Sequence, residues 1–214
     1  MTLEHSIETA TLSLGWFWGP DAKFGHLNGV LSTRVGYCGG KKLNPTYRDL
    51  GDHTETIQID FDMDKLSYKE ILDMFWKNHN PTRQPYSTQY KSAIFYANEF
   101  QKSTALDMKK ALENDLKTKI YTEILPMSTF YYAELYHQKY YLQLETALAM
   151  EIRNKYPSAK EFINSTEAAR LNSYIAGYGT VDDIKDSAAK FSWDNTIEKL
   201  LLLNNKSSDN ILNC

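Results

Sequence analysis

The sequence predicts an α+β fold: a two-layer sandwich with a mixed, mostly antiparallel sheet and a C-terminal helical extension. Three observations predict it. Strand-like and helix-like segments alternate from residue 11 to about 145. The strand-like runs 31–37 and 56–61 are joined by a long polar loop rather than a helix, which disfavours a strictly parallel sheet. After about 145 the strand signals stop. The expected division is therefore an α+β core over 1–145 and, over 146–214, a helical extension with a flexible tail packed on that core.

The elements follow in order. Thr11-Leu12-Ser13-Leu14 reads as a strand entering the turn Gly15-Trp16-Phe17-Trp18-Gly19. Pro20-Asp21-Ala22-Lys23-Phe24 reads as the first turn of a helix, with Pro and an acid at early positions. Leu31 to Tyr37 is a strand that ends at Gly39-Gly40, and 56–61 alternates at period two, as a half-buried strand does. Ser67-Tyr68-Lys69-Glu70 is a capping box, with Ile71, Leu72, Phe75 and Trp76 as the apolar stripe of a helix ending near His79-Asn80-Pro81. Ala93 to Tyr96 is a strand, Glu99 to about Lys117 a long amphipathic helix, and Ile120 to Leu125 a further strand. Ala159 to Ala176 reads as one helix closing at Gly177, Val181 to Lys190 as a second, and a third begins at Ser192 with Ile197, Leu200, Leu201 and Leu203 near its apolar face. The tail from Asn204 to Cys214, rich in Asn and Ser, is expected to be mobile.

Composition narrows the function classes. The chain has 214 residues, a formal charge of -3 and 42% apolar residues, enough for a core. No apolar run approaches the roughly 20 residues of a membrane span, so no membrane partner is expected. Met1 to Thr11 has no basic segment followed by an apolar one, so the expected compartment is the cytoplasm. Interspersed charge gives no reason to expect a nucleic-acid partner. The two cysteines, Cys38 and Cys214, form neither a disulfide framework nor a Cys-x-x-Cys pair. No metal-ligand spacing, phosphate loop or Gly-x-Ser-x-Gly elbow occurs, and no cofactor is expected. The 15 tyrosines cluster at 131–132, 136 and 140–141, which fits half-buried packing or a polar-edged aromatic pocket.

A strand passing through a Gly turn into a helix N-terminus suits a reactive group, because unpaired N–H groups and the helix dipole favour an anion there. Trp16, at that turn, has no nucleophilic chemistry.

Uncommon strings follow in a fixed order: Gly15-Trp16-Phe17-Trp18-Gly19-Pro20; Ser32 through Gly40; Asn44-Pro45-Thr46-Tyr47-Arg48; Asp52-His53-Thr54-Glu55; Thr88 through Ile94; and Tyr132 through Tyr140. In this order they resemble the A-type peptide methionine sulfoxide reductase family, over about residues 10 to 145. The resemblance implies reduction of methionine S-sulfoxide, free or protein-bound, and thioredoxin or a similar thiol reductant as partner. In the family the signature turn is Gly-Cys-Phe-Trp-Gly, and its Cys is the nucleophile. Position 16 is that position, and an indole cannot attack a sulfoxide. Phe17 and Trp18 match the rings that hold the substrate's S-methyl group. Glu55 matches the acid that protonates the sulfoxide oxygen, and a ring-lined pocket would raise its pKa. Tyr47 and Tyr90 match the phenols that hydrogen-bond that oxygen. Many members carry Asp five residues before the second Tyr, where this chain has Pro85.

Three readings of Trp16 stand. The native residue is selenocysteine, whose UGA codon differs from the Trp codon UGG by one base; or Trp was introduced or misread in place of Cys; or the chain is a catalytically inactive sulfoxide-binding pseudoenzyme. Against the third, Phe17, Trp18, Tyr47, Glu55 and Tyr90 all persist, and the first is favoured. With Trp16 the chain is expected to be inactive. For the thiol that resolves the oxidised intermediate, Cys214 on the tail is preferred over Cys38, since members with helical extensions place it near the C-terminus and a disulfide needs a partner that can come within bonding geometry.

Overall fold

A computed structural model describes residues 6–193 and 196–202. Its contacts group the chain into two compact units: residues up to Phe17 with Val35–Glu134, and Trp18–Arg34 with Leu135 onward.

The first unit is built on the sheet. The strands are β1 (Ile7–Leu14), β2 (Val30–Cys38, which enters this unit at Val35), β3 (Thr54–Asp62), β4 (Ser92–Tyr96), β5 (Glu123–Pro126) and β6 (Tyr131–Tyr132). They lie in the order β5-β4-β1-β3-β2-β6. β1 runs antiparallel to both β3 and β4, β6 antiparallel to β2, and β5 parallel to β4. The sheet is thus mixed and mostly antiparallel, as expected. β3 departs from the half-buried reading of 56–61: its polar residues Thr56 and Gln58 are buried as well. They satisfy their polar atoms across the β1 pairing, where Ser13 Oγ meets Thr56 Oγ1 at 2.8 Å and Gln58 Nε2 donates to Thr11 Oγ1 at 3.2 Å.

Helices α2 (Tyr68–Lys77) and α3 (Glu99–Leu116) form the layer on this sheet. The Ser67 capping box is present: Glu70 N–H donates to Ser67 Oγ at 3.2 Å and Ser67 N–H to Glu70 Oε2 at 2.8 Å. Behind it Ile71, Leu72 and Phe75 are buried. α3 starts on Asn98, whose side chain accepts from Gln101 N–H at 2.8 Å, and its Gln101 Nε2 reaches Thr9 O on β1 at 3.1 Å.

The second unit is helical: α1 (Trp18–Gly25), a 3-10 turn (Leu135–His137), α4 (Tyr140–Leu144), α5 (Thr146–Arg153), α6 (Ala159–Ile163), α7 (Thr166–Ile175), α8 (Val181–Phe191), and further helix over 197–202. The expected single helix 159–176 is two. Asn164 closes α6, and Ser165 caps α7 by accepting from Ala168 N–H at 3.1 Å, a stronger preference for Ser than a helix interior. Ser192 does not open a helix. It adopts φ 57° and ends α8. Leu142, Leu148, Ile152, Phe162, Leu171, Tyr174 and Trp193 are among the residues of this unit's core. α1 and α7 pack so closely at Gly25 that a Cβ there would lie 2.5 Å from Ala169 O.

Asp21 and Lys139 form a fully buried pair in this unit. Lys139 Nζ donates to Asp21 Oδ1 at 2.9 Å, to Thr33 O at 2.5 Å and to Thr33 Oγ1 at 2.9 Å. Asp21 Oδ2 accepts from Asn172 Nδ2 at 3.1 Å. Burial pushes the Lys139 pKa below its ordinary value, against the pull of Asp21. Among the described residues no helix is long and apolar enough to cross a membrane.

Candidate active site

β1 ends at Leu14, and Gly15 turns the chain with φ +92°, a conformation that costs a residue with a Cβ but not glycine. Trp16 follows, two residues before α1 begins. Its ring is 62% exposed, with its centroid 6.2 Å from that of Tyr90.

The backbone N–H of Phe17 donates to Glu55 Oε2 at 3.2 Å. Glu55 sits at the start of β3 and is 2% exposed. Its other oxygen, Oε1, accepts from Gln89 Nε2 at 2.9 Å. The Gln89 carbonyl in turn accepts from Glu55 N–H at 2.9 Å and from Thr54 Oγ1 at 2.9 Å. Gln89 therefore grips the head of β3 from both its main chain and its side chain. Burial raises the Glu55 pKa, and the two donors only partly offset it. The outcome is a shielded carboxyl, held one residue from position 16, that keeps its proton to higher pH than an exposed glutamate.

Tyr47 lies on the loop between β2 and β3. That loop is tied at its base. Asp52 accepts from Lys41 N–H at 2.8 Å and Lys42 N–H at 3.2 Å, and His53 takes Gly40 N–H on Nδ1 at 3.2 Å while its Nε2 donates to Lys42 O at 2.7 Å. Near Tyr47 the loop is tied by Glu134, whose Oε1 accepts from Tyr47 N–H at 3.0 Å. Glu134 Oε2 accepts from the buried Tyr37 hydroxyl at 2.7 Å, and the Tyr37 ring centroid is 6.1 Å from that of Phe17.

Comparison of the chain with known proteins decides its family. A family model described as peptide methionine sulfoxide reductase matches residues 8–170. The chain belongs to this family. A peptide methionine sulfoxide reductase of Drosophila melanogaster is 43% identical over 182 residues, covering 84% of this chain and 73% of that protein. The MsrA of Methanosarcina acetivorans is 45% identical over 149 residues, covering 64% of this chain and 79% of that one. Among solved structures, methionine sulfoxide reductase A of Corynebacterium diphtheriae superposes with a TM-score of 0.58 at 30% identity, covering 68% of this chain and 78% of that chain. The reduced form of Mxr1 from Saccharomyces cerevisiae does so with a TM-score of 0.60 at 26% identity, covering 65% and 86%.

In this member of the reductase family, Trp16, Phe17, Glu55 and Tyr90 meet directly or through Gln89, and Tyr47 joins through Glu134 and Tyr37. Trp18 is held within the helical unit, where its ring stacks on Tyr140 at 3.9 Å and its Nε1 donates to His137 Nδ1 at 3.2 Å. Cys38 is fully buried, with its Sγ 3.4 Å from Ser128 Oγ, and burial pushes its thiol pKa up. Cys214 and the rest of the tail lie outside the described residues. Gln89 and Glu134, which bond Glu55 and Tyr47, are positions that sequence reasoning did not single out. Both stood inside quoted strings, but only the fold shows whom they bond.

Proposed function

We propose that this chain, with a thiol or selenol at position 16, reduces methionine S-sulfoxide, free or in proteins, to methionine. The observation that carries the proposal is the buried carboxyl of Glu55, bonded to Phe17 N–H and to Gln89 beside Tyr90. In the mechanism implied by the family resemblance, the anion at position 16 attacks the sulfoxide sulfur while Glu55 gives its proton to the oxygen. The phenols of Tyr47 and Tyr90 donate to the same oxygen, and Phe17 and Trp18 hold the S-methyl group. The sulfoxide gains two electrons, position 16 loses them, and the oxygen ends there as a sulfenic or selenenic acid. The Cys214 thiol then displaces that oxygen as water, and a dithiol such as thioredoxin opens the resulting bond.

The burial and raised pKa of Cys38 support giving the resolving role to Cys214, because the thiolate is the reactive form. In a Trp16→Cys background, Cys214→Ser is expected to abolish thioredoxin-dependent turnover and Cys38→Ser to leave it; the reverse pattern reassigns the role. The native residue at 16 is selenocysteine in this proposal, and a UGG codon with a Trp mass in the native protein would overturn that part. The helical part beyond 146 serves to carry Cys214, and the chain works in a reducing compartment such as the cytoplasm.

A second reading draws on Trp16 itself. Its ring is largely in solvent, so it can be accommodated without disturbing the turn. On that reading the chain binds methionine sulfoxide without reducing it. Turnover by the Trp16→Cys form with dithiothreitol favours the enzyme.

A further inference from the structure

Beside the turn at Gly15 lies a cleft of about 190 Å3, between the end of β1 and the loop that joins α2 to β4. Arg83, Pro85, Tyr86 and Tyr90 line it, and no Asp or Glu does. Among the described residues the Arg83 guanidinium makes no hydrogen bond or ion pair. Its main chain is fixed nonetheless. Arg83 N–H donates to Asn80 O at 3.3 Å, Thr82 N–H to Asn80 Oδ1 at 3.0 Å, and Tyr121 N–H to Pro81 O at 2.8 Å.

The other basic groups nearby are committed. His79, also in the wall, donates from Nδ1 to Phe75 O at 2.8 Å, its Nε2 lies 2.9 Å from Thr122 Oγ1, and burial pushes its pKa below the ordinary value, so both ring nitrogens are engaged away from a ligand. Lys91 pairs with Glu123 at 2.8 Å. Tyr86 is 73% exposed, and its ring centroid stands 5.7 Å from that of Tyr90, which is in turn 6.2 Å from Trp16. The cleft therefore adjoins the nucleophile position, has an aromatic wall, and carries a single uncompensated positive charge. It also holds Pro85, so no acid at that position competes for Arg83.

Resting on the reductase reading, we propose that this cleft is a carboxylate subsite. Arg83 reads an acidic group next to the oxidised methionine: the side chain of a neighbouring Asp or Glu in a peptide, or the α-carboxylate of the free amino acid. Tyr86 and Tyr90 pack on the carbon skeleton that bears it.

The test uses end-capped peptides that differ only in the residue after methionine sulfoxide (Glu, Gln or Lys), together with free methionine sulfoxide and its amide. Turnover is read on the full Trp16→Cys chain with dithiothreitol, and binding on the unaltered chain by tryptophan fluorescence. The Glu peptide is expected to exceed the Lys peptide about five-fold at low salt, as for an exposed charge contact, and the gap should close near 1 M salt. Arg83→Gln should remove the preference and Arg83→Glu reverse it. A preference confined to free acid over amide, again lost in Arg83→Gln, assigns the subsite to the α-carboxylate. Equal rates across all substrates, or a preference that Arg83→Gln leaves intact, overturn the proposal while turnover itself keeps the reductase reading. Arg83-dependent binding without any turnover keeps the subsite and sinks the reductase reading. Neither binding nor turnover sinks both.

Discussion

Replacing Glu55 by Gln in the Trp16→Cys chain is expected to lower kcat/KM for methionine S-sulfoxide by about 10²–10⁴-fold, the range for a positioned general acid. That is about 3–5 kcal/mol of barrier at 1.36 kcal/mol per decade. The upper half of the range is favoured, because the residue is only 2% exposed and water cannot readily take over as donor. A second cost comes from the carboxyl's partners. Phe17 N–H and the Gln89 amide each point at one oxygen. A carboxamide has one acceptor oxygen; with it on Phe17 N–H, its NH2 faces Gln89, whose amide must turn its own oxygen inward to accept, at about 1 kcal/mol of stability. Thermal unfolding run alongside the kinetics separates that loss from the catalytic one. The pH profile gives the sign. Burial raises the Glu55 pKa above the ordinary carboxyl value, so the acid form persists to higher pH and activity falls as pH rises through the folded value. The same shift makes this group's contribution to stability greatest below the ordinary value and smaller as pH rises through the raised one. Gln89→Leu removes a donor that favours the carboxylate, so the basic limb should move to higher pH. If Glu55→Gln stays within about three-fold of its parent and keeps the same basic limb, Glu55 is not the proton donor.

Glu134→Ala should lower kcat/KM about ten-fold, mainly through KM, because the Tyr47 loop loses a charged hydrogen-bond acceptor; equal KM in the variant would refute the positioning role. Lys139→Met should destabilise the protein by about 3–5 kcal/mol, lowering Tm by about 6–20 °C, since it strands a buried Asp21 with only the Asn172 amide. Adding Asp21→Leu to that variant should restore much of the loss, and calorimetry on both checks it. Gly15→Ala should cost about 1–3 kcal/mol from backbone torsion alone, because a Cβ there meets nothing within 4 Å; an unchanged Tm would contradict it.

The legible parts of the fold were those whose local signals agreed with their tertiary surroundings. The Ser67–Glu70 capping box and the stripe behind it specified α2, and the run 56–61 specified β3 as a strand, though not its burial on both faces. The two-residue β6 and the short α4 are held by partners distant in sequence, Gly36 and Tyr37 for the one and Asn172 for the other, so no local period announces them. Lys139 is the opposite case. Its residue type argues for solvent, yet it is fully buried at φ 52°, because Asp21 and Thr33 supply its acceptors from far along the chain. The site divides in the same way. Glu55, Tyr47 and Tyr90 could be named from strings, but the grip of Gln89 on Glu55 and of Glu134 on Tyr47 exists only once β2, β3 and their loops are folded.

The central claim is that this site is complete except for the atom at position 16. It is tested most directly by measuring dithiothreitol-dependent reduction of the separated S and R epimers of methionine sulfoxide, for the Trp16 chain and for its Trp16→Cys or selenocysteine form at matched circular dichroism. The account predicts turnover of the S epimer by the Cys or selenocysteine form and none by the Trp16 chain. Turnover by the Trp16 chain, or a well-folded Cys form that reduces neither epimer, would contradict it.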